Sequence, residues 1–243
     1  MKVYAVGTSC TWFERNNTSF IIDDKIVFDT PAGSYKDILK KVDIFKLSGI
    51  IISHFHADHF GDLHIFATRY MRESEMMGRT EKMKIYGPKG MLDKIIEINT
   101  IFCSAEDERD REKLQSKIDF IEIADGDEFV LDNYKIKVYE VDHGKAYCLG
   151  FTFEDENGVV VGFSADTRDC ENLRNILKFS EVAFVDLAAP QPAKSHLDCQ
   201  SFVELQKMYP NCKMYPIHTS DQCLEFVKNN NLIVVNDFDE III

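Results

Sequence analysis

The stretch Gly49-Ile50-Ile51-Ile52-Ser53-His54-Phe55-His56-Ala57-Asp58-His59 decides how this chain is read. Its first half is short, apolar and β-branched, the pattern of a buried strand. Its second half places three imidazoles and a carboxylate within six residues at that strand's C-terminal end. A core gains nothing from clustered histidines, whereas neutral imidazole nitrogens are preferred ligands of zinc-like ions. A loop leaving the strand can turn His54 and His56 toward one ion while Asp58 and His59 face a second.

Two ions need more ligands, and candidates follow other strand-like runs: His143 in Val141-Asp142-His143, Asp166 in Ser164-Ala165-Asp166-Thr167 and His218 in Pro216-Ile217-His218-Thr219. Each alone is weak evidence, because a single loop histidine or aspartate usually only hydrogen-bonds. Together they complete a site. His64 falls inside an expected helix and reads as structural. Cys148 and Cys170 lie near this chemistry and read as buried structural thiols.

Outward from the histidines, strands are predicted over 2–6, 18–23 and 25–28, the last two separated by the turn residues Asp23-Asp24-Lys25. Further strands are expected near 83–86, 118–123, 134–141, 149–155, 159–163, 182–186 and 232–235. Helices are expected at 34–41, 61–76, 89–99, 104–116, 171–178, 198–208 and 220–229. The mixed charges of Ala105 to Lys113 read as a solvated helix face and carry no function. Strands followed by helices in each half imply an α/β protein with two packed sheets and helices on both outer faces, an αββα sandwich. No Pro, Gly or Ser-rich linker divides the 243 residues, so one domain over 1–243 is expected.

Composition narrows the partners. A net charge of -13 repels polyanions unless a local basic patch overrides it, and no Lys/Arg cluster is visible. The N-terminus turns polar too soon for a secretory signal, and no apolar run approaches the roughly 20 residues of a membrane helix. Seven cysteines without a C-x-x-C pair suit reduced thiols. A cytoplasmic protein without a membrane partner is expected.

The pattern H-x-H-x-D-H followed by H, D and H resembles that of the metallo-β-lactamase superfamily, and within it the ribonuclease Z branch. The likeness includes Gly7-Thr8-Ser9, Arg15-Asn16-Asn17-Thr18-Ser19, Phe28-Asp29, Ile85-Tyr86-Gly87-Pro88-Lys89-Gly90, Gly150-Phe151, Ser164 to Leu173 and His196-Leu197. The segment around Asp166 is the most specific to that branch. The resemblance implies the metallo-β-lactamase fold and two divalent metal ions, zinc first, with manganese or iron as alternatives. His54, His56 and His143 would hold one ion, Asp58, His59 and His218 the other, and Asp166 would bridge them. Asp29 would hydrogen-bond the loop carrying the histidines. Asp58 would orient the attacking water, and His196 with Asp186 would assist the leaving group. For His196 itself, capping or hydrogen bonding ahead of a helix is the competing reading. A homodimer is also implied.

Three departures separate the chain from tRNA processing. The long arm that grips tRNA, inserted in that branch between the positions of His143 and Asp166, has no room here beyond a strand-turn-strand. The Pro-Thr-Lys element before Arg-Asn is replaced by Thr11-Trp12-Phe13-Glu14. Asp186 stands where a longer Glu is usual. The expected function is therefore a dinuclear metal-dependent hydrolase, a phosphodiesterase acting on a small-molecule or nucleotide phosphodiester. A tRNA 3′-end endoribonuclease is the alternative, and a lactone, thioester or β-lactam hydrolase a further one, since one fold hosts many reactions. A non-catalytic metal-binding protein would leave the full ligand set without purpose.

Overall fold

A computed structural model describes residues 1–11, 13–103 and 107–243. In chain order the elements are β1 (Lys2–Gly7), β2 (Ser19–Ile22), β3 (Ile26–Phe28), α1 (Tyr35–Lys41), β4 (Gly49–Ile51), α2 (Ala57–Phe60), α3 (Leu63–Met76), β5 (Met83–Gly87), α4 (Met91–Cys103), α5 (Asp107–Lys117), β6 (Ile118–Glu122) and β7 (Glu128–Leu131). They continue with β8 (Tyr134–His143), β9 (Ala146–Glu154), β10 (Val160–Phe163), α6 (Glu171–Phe179), β11 (Val182–Asp186), α7 (Cys199–Met208), β12 (Lys213–Ile217), α8 (Asp221–Asn229) and β13 (Glu240–Ile242). One sheet runs β13-β1-β2-β3-β4-β5-β6 and the other β12-β11-β10-β9-β8-β7.

The sheets face each other across an aromatic core. Phe20 of β2 and Phe28 of β3 meet Phe163 of β10 at ring-centroid distances of 5.5 and 5.1 Å, and Phe28 meets Phe151 of β9 edge-on at 5.5 Å. Each such fully buried side chain stabilises the fold by about 1.5–3 kcal/mol relative to exposure. On the outer face of the first sheet, Ile38 of α1, Phe66 and Tyr70 of α3 and Ile95 of α4 pack over Ile50 and Ile85. On the outer face of the second, Leu173 of α6, Phe202 of α7 and Val227 of α8 cover Ala183, Val185 and Met214. The αββα sandwich expected from the sequence is the observed architecture.

Several details differ. The apolar run at 232–235 is not a strand, and the edge of β1 is taken by β13, which pairs Lys2 with Ile242. Ile233 and Val235 fill the core between the sheets instead, while Leu232 and Val234 pack against the outer core of the second sheet. The short strands β7, β12 and β13 are absent from the expected set; each pairs with one neighbour at a sheet edge, and runs of four, five and three residues carry little periodicity. Within the charged stretch, residues 105 and 106 lie outside the described residues, as does Trp12 of the N-terminal departure, and α5 begins at Asp107. Between His143 and Asp166 the chain makes only β9, a turn and β10. Among the described residues no helix is long and apolar enough to cross a membrane.

Gly150 shows how closely α6 lies on the second sheet: a Cβ there would come within 2.7 Å of Ile176 Cδ1 and 3.0 Å of the Ser164 carbonyl oxygen. Gly150→Ala is therefore expected to lower stability by about 1–3 kcal/mol through overpacking. Calorimetry should show a Tm lower by several degrees, and an unchanged Tm would contradict so tight a seat for α6.

Candidate active site

Every candidate side chain of the sheets sits at or just beyond the C-terminal end of a strand, where open α/β sheets present ligand sites. Asp29 follows β3, His54 and His56 follow β4, His143 ends β8, Asp166 follows β10, Asp186 ends β11 and His218 follows β12. Asp58 and His59 lie on the single turn of α2. The backbone bends sharply at three of these ends: Asp29, Ala165 and His218 have φ of 58°, 51° and 55°. Left-handed conformations cost non-glycine residues about 1–3 kcal/mol and cluster where a side chain must be aimed.

The result is a compact donor set. His54, His56, His143 and Asp166 form one group and Asp58, His59 and His218 another, with ligand atoms inside each group within 4.8 Å of one another. Asp166 spans the two. Its Oδ2 lies 3.8 Å from His54 Nε2 and 3.6 Å from His143 Nε2, while its Oδ1 lies 3.2 Å from His59 Nε2 and 3.3 Å from His218 Nδ1. A third group, not anticipated from the sequence as a metal set, joins Asp166, Asp186, His196 and His218.

The orientation of each ring is set from behind. Asp29, fully buried, accepts from the Ser53 backbone N–H at 2.8 Å and from Ser53 Oγ at 2.7 Å, and it holds His59 Nδ1 at 2.7 Å. That leaves Nε2 of His59 to face the site. The Ser195 carbonyl oxygen holds His143 Nδ1 at 2.8 Å. Ser53 Oγ and Cys148 Sγ lie 3.0 and 3.6 Å from His54 Nδ1, and the Thr11 hydroxyl donates to Asp58 Oδ2.

Charge follows from this packing. Burial, with the neighbouring His59, pushes His54 well below its ordinary range, so its imidazole is neutral. Burial would also lower His59 and His218, but carboxylates outweigh it. Asp166 and Asp29 hold His59 well above its usual value, and Asp166 with Asp186 and Asp58 brings His218 to about 9. Burial would raise Asp166, yet the charges of His218 and His59 hold it well below the carboxylate range. A buried carboxylate must be paired with positive charge. The raised imidazoles of His59 and His218 answer it, a place that divalent ions would take.

The donor set suits metal ions on a further observation. His54 Nε2, Asp166 Oδ1 and His218 Nδ1 are buried without a hydrogen-bond partner, and all three belong to the cluster. Buried polar atoms left unpaired are costly, and three converging on one site fit ligands whose partner is an ion.

His196 and Asp186 meet as well: Nδ1 of His196 lies 2.9 Å from Asp186 Oδ2, so the shorter acid reaches. Asp186 is itself fixed by the backbone N–H groups of Thr167 and Ala188, each at 3.0 Å. Burial would lower His196, but this hydrogen bond and charge raise it. The cap of α7 is Asp198, which accepts from the N–H groups of Gln200 and Ser201, so His196 is not needed there.

Other readings resolve differently. His64 lies on α3 with Nδ1 2.9 Å from the Gly61 carbonyl oxygen and belongs to none of the metal groups. Cys148 is fully buried, and burial, with Asp166 nearby, raises its thiol well above the usual value. Cys170 is only half-buried and corrects the expectation: its Sγ caps α6, accepting from the Leu173 N–H at 3.4 Å. Reading the sequence missed Thr11, Ser53 and Ser195. Ser53 adjoins the histidine run, and Thr11 falls in a segment flagged only as a departure. Ser195 acts through its backbone carbonyl, which no side-chain pattern reveals.

Comparison with known proteins places this geometry. The family model of the beta-lactamase superfamily domain matches residues 26–219. Ribonuclease Z of Macrococcus caseolyticus is 31% identical over 154 residues, covering 59% of this chain and 46% of that protein. The chain thus spans about half the length of the curated relatives it matches first. Among solved structures, a diphosphatase from the PhnP family superposes with a TM-score of 0.75 at 15% identity, covering 100% of this chain and 97% of that one. The short form of human tRNase Z gives 0.71 at 16% identity, covering 99% and 98%. With its αββα sandwich, its strand-end donor set and a family match over most of its length, the chain belongs to the beta-lactamase superfamily.

Proposed function

We propose that this chain is a metal-dependent hydrolase of phosphodiesters that uses two divalent ions, zinc first. The observation that carries the reading is Asp166, whose two carboxylate oxygens each face a separate cluster of imidazoles. On this reading His54, His56, His143 and one oxygen of Asp166 would hold one ion, and Asp58, His59, His218 and the other oxygen the second. When bound, the ions would bring the pKa of a water down toward neutrality and offset charge developing on the phosphoryl oxygens.

The protein's own residues do the rest. Asp29 and the Ser195 carbonyl keep the facing nitrogens of His59 and His143 aimed inward. Asp58, braced by Thr11, would accept a hydrogen bond from the attacking water. His196, with Nδ1 committed to Asp186, keeps Nε2 to donate a proton to the departing oxygen. A proton donor at that place suits an ester with a poor leaving group, which favours phosphodiesters over lactones.

Residues 1–243 act on this reading as one domain, supported by a core shared between both sheets. Free cysteines among the described residues support a cytoplasmic setting. The homodimer rests on family resemblance alone, and size-exclusion chromatography tests it.

The names of the curated relatives favour tRNA 3′-end processing as a second reading. Against it stand the short β9-turn-β10 connection and the net charge of -13. A panel of bis(p-nitrophenyl) phosphate, a lactone and a pre-tRNA, run before and after chelation, tests both. Chelator-sensitive turnover of the diester is expected. Binding of pre-tRNA should be weak and fall steeply with salt. Sub-micromolar binding at physiological salt would make tRNA the substrate, and turnover of the lactone alone would remove the phosphodiesterase reading.

A further inference from the structure

A cavity of about 600 Å³ opens beside the histidine cluster, and His56 belongs to both. Its walls come from separate strand ends: Phe55 and His56 after β4, Pro88 and Lys89 after β5, Ile123 after β6 and Tyr147 near the start of β9. Small-molecule pockets fall in the range of about 300–1,000 Å³. Pro88 and Ile123 form a buried floor. Phe55 is half-buried and braced edge-on by Phe60 at a ring-centroid distance of 5.0 Å. Tyr147, in contrast, is 43% exposed. Lys89 is exposed and makes no ion pair among the described residues.

We propose that this cavity is a subsite for a planar aromatic group attached to the scissile phosphate, with Phe55 and Tyr147 offering faces to the ring and Lys89 a charge to the phosphate. The proposal rests on the phosphodiesterase reading above and names its substrate class. Aromatic faces take any flat ring, because every base has a π surface. The lining offers few hydrogen-bonding side chains, so it selects flatness over base identity. A nucleoside and a simple aryl group share that chemistry.

The test holds the leaving group constant. Thymidine 5′-(p-nitrophenyl phosphate), phenyl p-nitrophenyl phosphate and methyl p-nitrophenyl phosphate all release p-nitrophenolate, so differences report the group that does not react. Wild-type protein is expected to show a KM at least about tenfold lower for the aromatic diesters than for the methyl one. Tyr147→Ala should bring that ratio toward unity while Tyr147→Phe preserves it. Preference for thymidine over phenyl assigns the subsite to nucleotides, and equal preference assigns it to aryl groups in general. Calorimetric titration with thymidine 5′-monophosphate gives a second readout, expected to weaken about tenfold in Tyr147→Ala. Turnover of all three diesters with the same KM in wild type and Tyr147→Ala overturns the subsite and leaves the phosphodiesterase reading intact. No turnover of any diester, with thymidine 5′-monophosphate still bound through Tyr147, removes that reading and keeps the subsite. Equal nucleotide binding by wild type and Tyr147→Ala overturns it.

Discussion

Asp166→Ala, purified without chelator, is expected to lose at least one of two bound transition-metal ions and nearly all turnover. Asp166 faces both imidazole clusters, with contacts of 3.2 and 3.3 Å on one oxygen and 3.6 and 3.8 Å on the other. On the two-ion reading, removing it would take a negative ligand from each ion and leave their charges less screened from each other. Loss of a residue that merely supports a ligand costs about 10–100-fold in metal affinity or activity, so a loss beyond about 100-fold is expected here. Metal analysis of wild type should give close to two ions per chain. Because Asp166 is buried, folding must be checked in parallel by circular dichroism. Asp29→Ala is the useful comparison: it removes only the acceptor behind His59 and Ser53 and should fall within the range of about 10–100-fold. A wild-type protein that is folded, metal-free and cannot be reconstituted sinks the metal proposal.

His196→Ala should leave metal content and folding nearly unchanged while lowering turnover of a poor-leaving-group diester by roughly a hundredfold to ten-thousandfold, the range for general acid catalysis. The side chain is 26% exposed, and α7 is capped by Asp198 without it, so little stability depends on it. p-Nitrophenyl diesters release an anion that needs no proton, and their loss should be much smaller. Asp186→Asn, which keeps shape but removes the charge that raises His196, should show the same leaving-group dependence with added structural cost, since Asp186 also anchors Thr167 and Ala188. The ratio of mutant to wild-type rates on good and poor leaving groups decides the matter. The same ratio on both would mean His196 only positions its neighbours.

Much of this protein was legible in sequence because its information is local. The β-branched run Gly49 to Ser53 specifies a buried strand by composition, and the histidines that follow it are adjacent in the chain as well as in space. Strand-then-helix order in both halves is enough to imply two sheets with outer helices. His143, Asp166 and His218 could be found because each ends an apolar run, and strand ends are where an α/β layer exposes side chains.

Only the tertiary structure decided the rest, because it depends on segments far apart in sequence. That Asp186 reaches His196 is a 2.9 Å contact between β11 and the loop before α7. That the apolar run Leu232 to Val235 yields no strand, while β13 pairs with β1 from the opposite end of the chain, is visible only in the folded chain. The cavity beside His56 assembles from separate strand ends and has no linear signature. Sequence by itself determined which residues are candidates for the chemistry, since residue type and local period are one-dimensional properties. Only the folded backbone determined which nitrogen and which oxygen face each other, because hydrogen-bond partners such as the Ser195 carbonyl and the turns at Asp29, Ala165 and His218 exist only once distant strands are packed.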